Sequence, residues 1–280
     1  MSDSPTFTAP GQNLVIRPFT TAHLPGALLL SQQVGWPHRL EDWALNLALS
    51  QGVVALDGAR VAGTTLCTRF GDVALLNMII VDGAMRGRGL GRMLMAAAME
   101  LAAGCEMRLI ATPEGQPLYE KLGFHPTGQI LQHQGISQGG APALPVREGR
   151  AQDVTELARM DLAATGLERS DMIARIAGTG TVLRADHGFA LLRAFGRGHV
   201  LGPVVACDTA TARALIDAGA RRMAGRFLRI DLPEGAGLSD HVTRLGLAHA
   251  GSGTAMIRPP CGPAAGGDFT TFALASQALG

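Results

Sequence analysis

The sequence predicts a mixed α/β fold built twice: two tandem domains, residues 1 to 136 and 137 to 280, each a mixed, mostly antiparallel sheet flanked by helices. Three observations carry this. A chain of 280 residues exceeds what one core ordinarily serves. Strand-like and helix-like runs alternate in an order that mixes hairpins with a crossover. The pattern also recurs: Leu122-Gly123-Phe124 through Gly128 is echoed by Leu245-Gly246-Leu247 through Gly251 at a constant offset of 123 positions, as a duplication would leave it.

Taken in order, Asn13 to Arg17 reads as a short strand, Thr21 to Val34 as a helix opened by a Thr cap, and Leu40 to Leu49 as a second helix. Gly52 to Leu56 and Val61 to Phe70 are β-rich and separated by Asp57-Gly58, a hairpin signal; Gly71-Asp72 turns the chain into Val73 to Val81. After Val81 a Gly-rich stretch leads into Met93 to Ala103, dense in Ala, Leu and Met and therefore helical. Arg108 to Ala111 is a strand, Gln116 to Leu122 a short helix ended by Gly123, and Thr127 to His133 a closing strand. Gln134 to Pro145, rich in Gly, Ser, Ala, Pro and Gln, reads as a linker. Beyond it Val146-Arg147 echoes Ile16-Arg17. A helical pair spans Asp153 to Ala177, strands follow at Thr181 to Arg184, Phe189 to Ala194 and Val200 to Ala206, and a helix at Thr209 to Ala218.

Composition narrows the function. Apolar residues at 47% and charged residues at 17% are globular values, and aromatics at 4% leave the cores to Ala, Leu, Val and Ile. With 24 basic against 23 acidic residues there is no surplus field for a polyanion, so neither nucleic acid nor a membrane surface is expected as a partner. Cys67, Cys105, Cys207 and Cys261 lie far apart, with no C-x-x-C pair and no His at ligand spacing, so no metal and no disulfide framework is expected. Met1 to Pro10 is polar and acidic, and no uncharged apolar run reaches the roughly 18 residues of a span; a cytoplasmic protein is the expectation.

The sharpest local signal is Arg86-Gly87-Arg88-Gly89-Leu90-Gly91, entered from a strand and opening directly into a helix. Closely spaced glycines let the backbone approach a ligand at positive φ, and the free N–H groups of a first helical turn point at whatever sits there. A pyrophosphate is the natural guest, with Arg86, Arg88 and Arg92 adding positive charge. A Walker P-loop is excluded because the only lysine, Lys121, follows no suitable glycine pair. A Rossmann fingerprint is excluded because Gly87, Gly89 and Gly91 are two apart and the next strand ends without an acid.

Arg86-x-x-Gly89-x-Gly91 resembles the acyl-CoA loop of the GCN5-related N-acetyltransferases (GNAT), and Leu118-Tyr119-Glu120-Lys121-Leu122-Gly123-Phe124 resembles that family's second signature. Trp36-Pro37-His38-Arg39 with Asp42-Trp43, Ala111-Thr112-Pro113, and Gly202-Pro203-Val204-Val205-Ala206 further resemble a bacterial tandem subgroup. The resemblance implies an acetyl group carried on coenzyme A as co-substrate, its pyrophosphate on the amides of Gly87, Arg88, Gly89, Leu90, Gly91 and Arg92, and its pantetheine arm along Ile79 to Val81. It implies Tyr119, the chain's one tyrosine, as the acid that protonates the departing thiolate, and the segment holding Trp36, His38 and Trp43 as a wall of the acceptor pocket. Core packing is the competing role for Tyr119 and for the tryptophans. His38, Asp82, Glu114 and His125 stand open as bases, with Asn77 a polar mid-strand residue that would face the acetyl end.

The second half departs from the pattern: Ala206-Cys207-Asp208 runs straight into helix without glycine, and Val242 stands 123 positions after Tyr119. An Asp there caps the amides itself and repels a phosphate. The second domain is expected to keep the fold without that chemistry and to serve as a wall or lid of the acceptor site. The reading is an N-acetyltransferase acting from acetyl-CoA on a small-molecule or peptide primary amine; the alternative is an acyl-CoA-binding regulatory or sensor protein without turnover. The amine and the oligomeric state are not legible.

Overall fold

The computed structural model describes residues 14 to 259 and 267 to 280; Asn13, Cys261 and the Met1 to Pro10 stretch lie outside the described residues. The first half contains β1 (Leu14–Pro18), α1 (Leu24–Gln33), α2 (Leu40–Ala48), β2 (Gln51–Asp57), β3 (Arg60–Phe70), β4 (Val73–Val81), α3 (Leu90–Leu101), β5 (Glu106–Ala111), α4 (Gln116–Lys121) and β6 (His125–Ile136). The second half contains β7 (Arg147–Glu148), α5 (Val154–Thr165), α6 (Ser170–Thr179), β8 (Thr181–Ala185), β9 (Gly188–Phe195), β10 (Gly198–Ala206), α7 (Thr209–Arg222), β11 (Phe227–Pro233), α8 (Ser239–Arg244), β12 (Ala248–Arg258) and β13 (Thr270–Ala273). The helix expected from Thr21 starts as a 3-10 turn at Thr21–His23 before α1 takes over.

Among the described residues the strands form one sheet in the order β1-β2-β3-β4-β5-β12-β6-β11-β10-β9-β8-β7, with β13 attached to β10. The two expected sheets are therefore continuous, because each half hands its last long strand to the other. β12 lies between β5 and β6, and β6 lies between β12 and β11. Ile130 of β6 stands opposite Gly253 of β12, the residue 123 positions further on, while Gln129 faces Thr254 and Leu131 faces Ser252. A strand that meets its own repeat in antiparallel register maps onto itself, so an approximate twofold axis passes between Ile130 and Gly253. The expected linker begins late for the same reason: Gln134, Gly135 and Ile136 stay in β6, partnered by Arg229, Leu228 and Phe227 of β11.

One face runs unbroken across this seam through the pairs Ala111 with Thr254, Thr254 with Gln129, and Leu131 with Leu232. That face carries α3 and α4 in the first half and α7 and α8 in the second; α1, α2, α5 and α6 cover the other. The cores are shared as well. Met256 of β12 is buried with Leu76, Met95, Met107 and Phe124 of the first half, and Phe70, Val73 and Leu75 are buried with Leu157, Met172 and Ile173 of the second. Separating the halves would strip both edges of the seam of ladder partners and expose these side chains.

Candidate functional site

β4 and β5 are parallel neighbours only where Val73, Ala74 and Leu75 meet Glu106, Met107 and Arg108. β4 stays paired with β3 as far as Val81, so from Asn77 onward its other edge, including Ile79 and Val81, faces a wedge that β5 does not fill. A bulge sets the divergence: the β3 register slips between Thr64 and Leu66, and Met78 sits at φ +50°. Left-handed backbone costs a non-glycine residue about 1–2 kcal/mol, and here the Thr64 hydroxyl donates to the Met78 carbonyl at 2.7 Å and holds it. Bulges re-aim strands beside sites of this kind.

At the open end of the wedge the chain turns into α3. Asp82, paired with Arg60, accepts the Ala84 N–H at 2.8 Å, and Met85 is buried as an anchor. Gly87 and Gly89 follow at φ +75° and +80°, conformations that a side chain would strain. Gly89 occupies the cap position of α3 with no side chain to accept the first-turn amides and no acid in that turn. Those N–H groups and the helix dipole face outward together. The side chains of Arg86, Arg88 and Arg92 are exposed and make no hydrogen bond or ion pair among the described residues. A Cβ on Gly91 would stand 3.3 Å from Leu118 and 3.8 Å from Val81, so β4, α3 and α4 converge there.

Tyr119 follows Leu118 on α4, nine-tenths buried, edge-on to Phe124 at 6.2 Å and clustered with Leu76, Leu109 and Ile79. Burial pushes its phenol up to about 12. Its hydroxyl makes no hydrogen bond among the described residues, while a Cβ on Gly115 would approach that oxygen to 3.2 Å. Tyr119 is thus a core ring that carries a protonated hydroxyl.

The α1–α2 segment lies on the opposite face. Trp43 is a correction to the expected pocket wall: it is fully buried, stacked on Phe19 at 5.9 Å, and donates from Nε1 to Ser31 at 3.2 Å. It supports the segment from beneath, because its position on the inner side of α2 faces the sheet. Trp36 and His38 are only partly buried. His38 packs 5.6 Å from Trp36 and edge-on to Phe195 of the second half at 5.3 Å, and its Nδ1 is buried without a partner. Desolvation lowers its imidazole to about 4. Asp82 is occupied as described, and Glu114 and His125 are exposed.

Around His38 the two halves meet through charges the sequence reading missed. Asp42 accepts from Arg39 at 2.9 Å and from the Gly196 N–H at 3.0 Å, and lies 3.5 Å from Arg193. Burial pushes the Asp42 carboxyl up, but these hydrogen bonds outweigh it and hold it below the usual range. Arg193, lowered to about 10 by burial, lies 4.9 Å over Phe195, and Arg229 lies 5.3 Å from the same ring while clamping Asp231. Nothing local marks Arg193 or Phe195 as part of this junction, since Arg193 meets Asp42 and Phe195 meets His38 from more than a hundred residues away.

Two sequence models, each described as an acetyltransferase (GNAT) domain, match residues 49–126 and 157–264. The uncharacterized N-acetyltransferase YitH of Bacillus subtilis (strain 168) is 31% identical over 278 residues, covering 92% of this chain and 95% of that protein. The chain belongs to the GNAT acetyltransferases. Among solved structures, a putative acetyltransferase from Pyrococcus horikoshii superposes with a TM-score of 0.82 at 18% identity over 98% of both chains. A GCN5-related N-acetyltransferase from Sphaerobacter thermophilus superposes with a TM-score of 0.65 at 17% identity, over 91% of this chain and 99% of the other. Both likenesses concern the fold.

As a GNAT acetyltransferase the protein is an acyltransferase, and its family draws on acetyl-CoA. Its second GNAT domain has the same wedge, since β10 and β11 are parallel neighbours only at His199–Leu228 and Val200–Arg229. There, however, β13 enters the gap: Val204, Val205 and Ala206 pair with Ala273, Thr271 and Thr270, and the Leu274 N–H donates to the Asp231 carbonyl at 2.9 Å. Asp208 Oδ1 accepts the Thr211 N–H at 2.7 Å, capping α7 as expected. The Leu247 N–H donates to the Val242 carbonyl at 3.1 Å, as the Phe124 N–H does to Tyr119 at 3.0 Å, so Val242 is the structural counterpart of Tyr119.

Proposed function

We propose that the first half holds acetyl-CoA between β4 and β5 and passes its acetyl group directly to a primary amine. The wedge carries this reading. It offers an unpaired strand edge at Ile79–Val81, where an amide-rich pantetheine arm can pair as an added strand would. It opens onto uncapped α3 amides flanked by Arg86, Arg88 and Arg92, which suit a pyrophosphate. The bound thioester would supply the acyl group. Amides 87–92 fix its phosphates, the Ile79–Val81 edge aligns its arm, and the β4 bulge turns the strand so that its end stays accessible from the α1–α2 face. The amine nitrogen bonds to the carbonyl carbon as the C–S bond breaks, Tyr119, protonated near neutral pH, gives its proton to the sulfur, and the proton that the nitrogen sheds on becoming an amide passes to solvent, from which the phenolate is reprotonated. Trp36 and His38 wall the acceptor side, and the second half supplies Phe195 beneath them.

Calorimetry with coenzyme A, followed by thiol release from acetyl-CoA across a panel of aliphatic, aromatic and peptide amines, tests this. Binding with acetylated product is expected. Binding without thiol release from any amine would favour the regulatory alternative, and absence of binding would remove the wedge as the site.

A further inference from the structure

Resting on that reading, we infer that the turn of residues 276–280 forms the acceptor-side wall of the first half's wedge, and that Gln277 is the side chain standing closest to the incoming amine. Strand β13 threads the second half's wedge and delivers this turn across the sheet. The turn is closed by the Ala275 N–H to the Gly280 carbonyl and the Gly280 N–H to the Ser276 carbonyl, both 3.0 Å. Arg169, itself in a fully buried pair with Asp161 at 2.6 Å, donates to the Leu279 and Gly280 carbonyls at 3.1 and 2.8 Å and pins it in place.

Alternation along the strands fixes where the turn lies. Leu109 and Ala111 point to the α3 face, so Ile110 points to the α1–α2 face, together with Asn77 and Met78 on the far side of the wedge. The turn crosses between them. A Cβ on Gly253 would stand 2.5 Å from Ile110 and 3.4 Å from Gln277 Oε1, and a Cβ on Gly280 would stand 3.3 Å from Leu75, the last residue of β4 paired with β5. Ala278 packs against the clusters holding Trp36 and Met78 on one side and Leu75 on the other. The segment therefore spans the base of the wedge, where the thioester end of the arm would lie.

Besides the buried Ser276 hydroxyl, two amide oxygens there are oriented acceptors. Gln277 Nε2 donates to Asp231 Oδ1 at 3.1 Å, and because a carboxylate only accepts, the amide is fixed with Oε1 turned away. Asn77 Nδ2 donates to Thr68 Oγ1 at 2.9 Å and to the Leu75 carbonyl at 3.3 Å, leaving its Oδ1 buried and unpartnered. Two oriented amide oxygens match the N–H bonds of an amine and would set its nitrogen without carrying charge.

Thiol–disulfide exchange measures the proximity without knowing the amine. In Gln277→Cys, or Ala278→Cys should the first prove unstable, the new thiolate attacks coenzyme A disulfide, forming a protein–coenzyme A disulfide and releasing coenzyme A thiol. Peptide mapping is expected to show capture at the new cysteine at least tenfold faster than at exposed Cys207 of the same molecule, and suppression by acetyl-CoA. Capture no faster than at Cys207, or insensitive to acetyl-CoA, in a protein that binds coenzyme A overturns the wall while leaving the proposed function standing. A wild type that binds no coenzyme A overturns both.

Discussion

Tyr119 and His38 have both been moved from their ordinary titration ranges by burial, in opposite senses for function. Raised to about 12, Tyr119 keeps its proton throughout the neutral range and can act only as a donor. Tyr119→Phe keeps the ring packed on Phe124 and removes only that proton, so turnover should fall roughly 10²-fold with coenzyme A affinity within a few-fold; unchanged turnover in steady-state assays would return the residue to packing alone. His38 is lowered from 6.5 to about 4, so the folded state resists its protonation. The unfolded chain binds the proton first, and the folded state loses stability as pH falls from about 6.5 toward 4. The loss has an upper bound of about 3–4 kcal/mol, at about 1.4 kcal/mol per pKa unit. Urea titrations across that range should show a shallower acid limb for His38→Gln than for the wild type; parallel limbs would mean that the imidazole is solvated in the folded protein.

Two helices that open from equivalent strands contrast at the element scale. α3 begins at Gly89 with its amides free, and α7 begins at Asp208 with its first-turn amide already bound. Gly89→Glu places a carboxylate among the α3 amides and should abolish coenzyme A binding in calorimetry while circular dichroism remains that of a folded protein. Retained affinity would detach the loop from the cofactor. Asp208→Ala should instead cost about 1 kcal/mol of stability by removing the cap of α7, and leave coenzyme A affinity unchanged because β13 still occupies the adjoining strand edge.

For the whole molecule the exchange of β6 and β12 decides what can be separated. Residues 1–136 alone would leave β5 and β6 without β12 between them and would expose the surface that Met256 covers. This fragment should not behave as a stable monomer in size-exclusion chromatography; a monomer with native-like dichroism would show that the seam is dispensable. Titration of the intact chain should reach one equivalent of coenzyme A, since the second wedge already holds a strand. Two equivalents would mean that β13 is displaced by the cofactor.

The sequence by itself determined the elements and the chemistry that depends on neighbouring residues. Glycine spacing at 87, 89 and 91, the missing cap of α3, the cap supplied by Asp208 and the place of Tyr119 on a short helix all follow from local backbone preference and hydrogen-bonding capacity, which a few consecutive residues fix. Only the tertiary structure decided which strand lies beside which. β6 and β12 have the same pattern, so either would satisfy the edge of β5, and nothing local says that the repeat rather than the original strand fills it. The same holds for Trp43, which suited either a core or a pocket wall, and for Phe195, Asp231 and Gln277 of the second half. Their positions depend on contacts between separate elements, Trp43 with Phe19, Gln277 with Asp231 and Phe195 with His38, and burial at such contacts is settled by the packing of the folded chain.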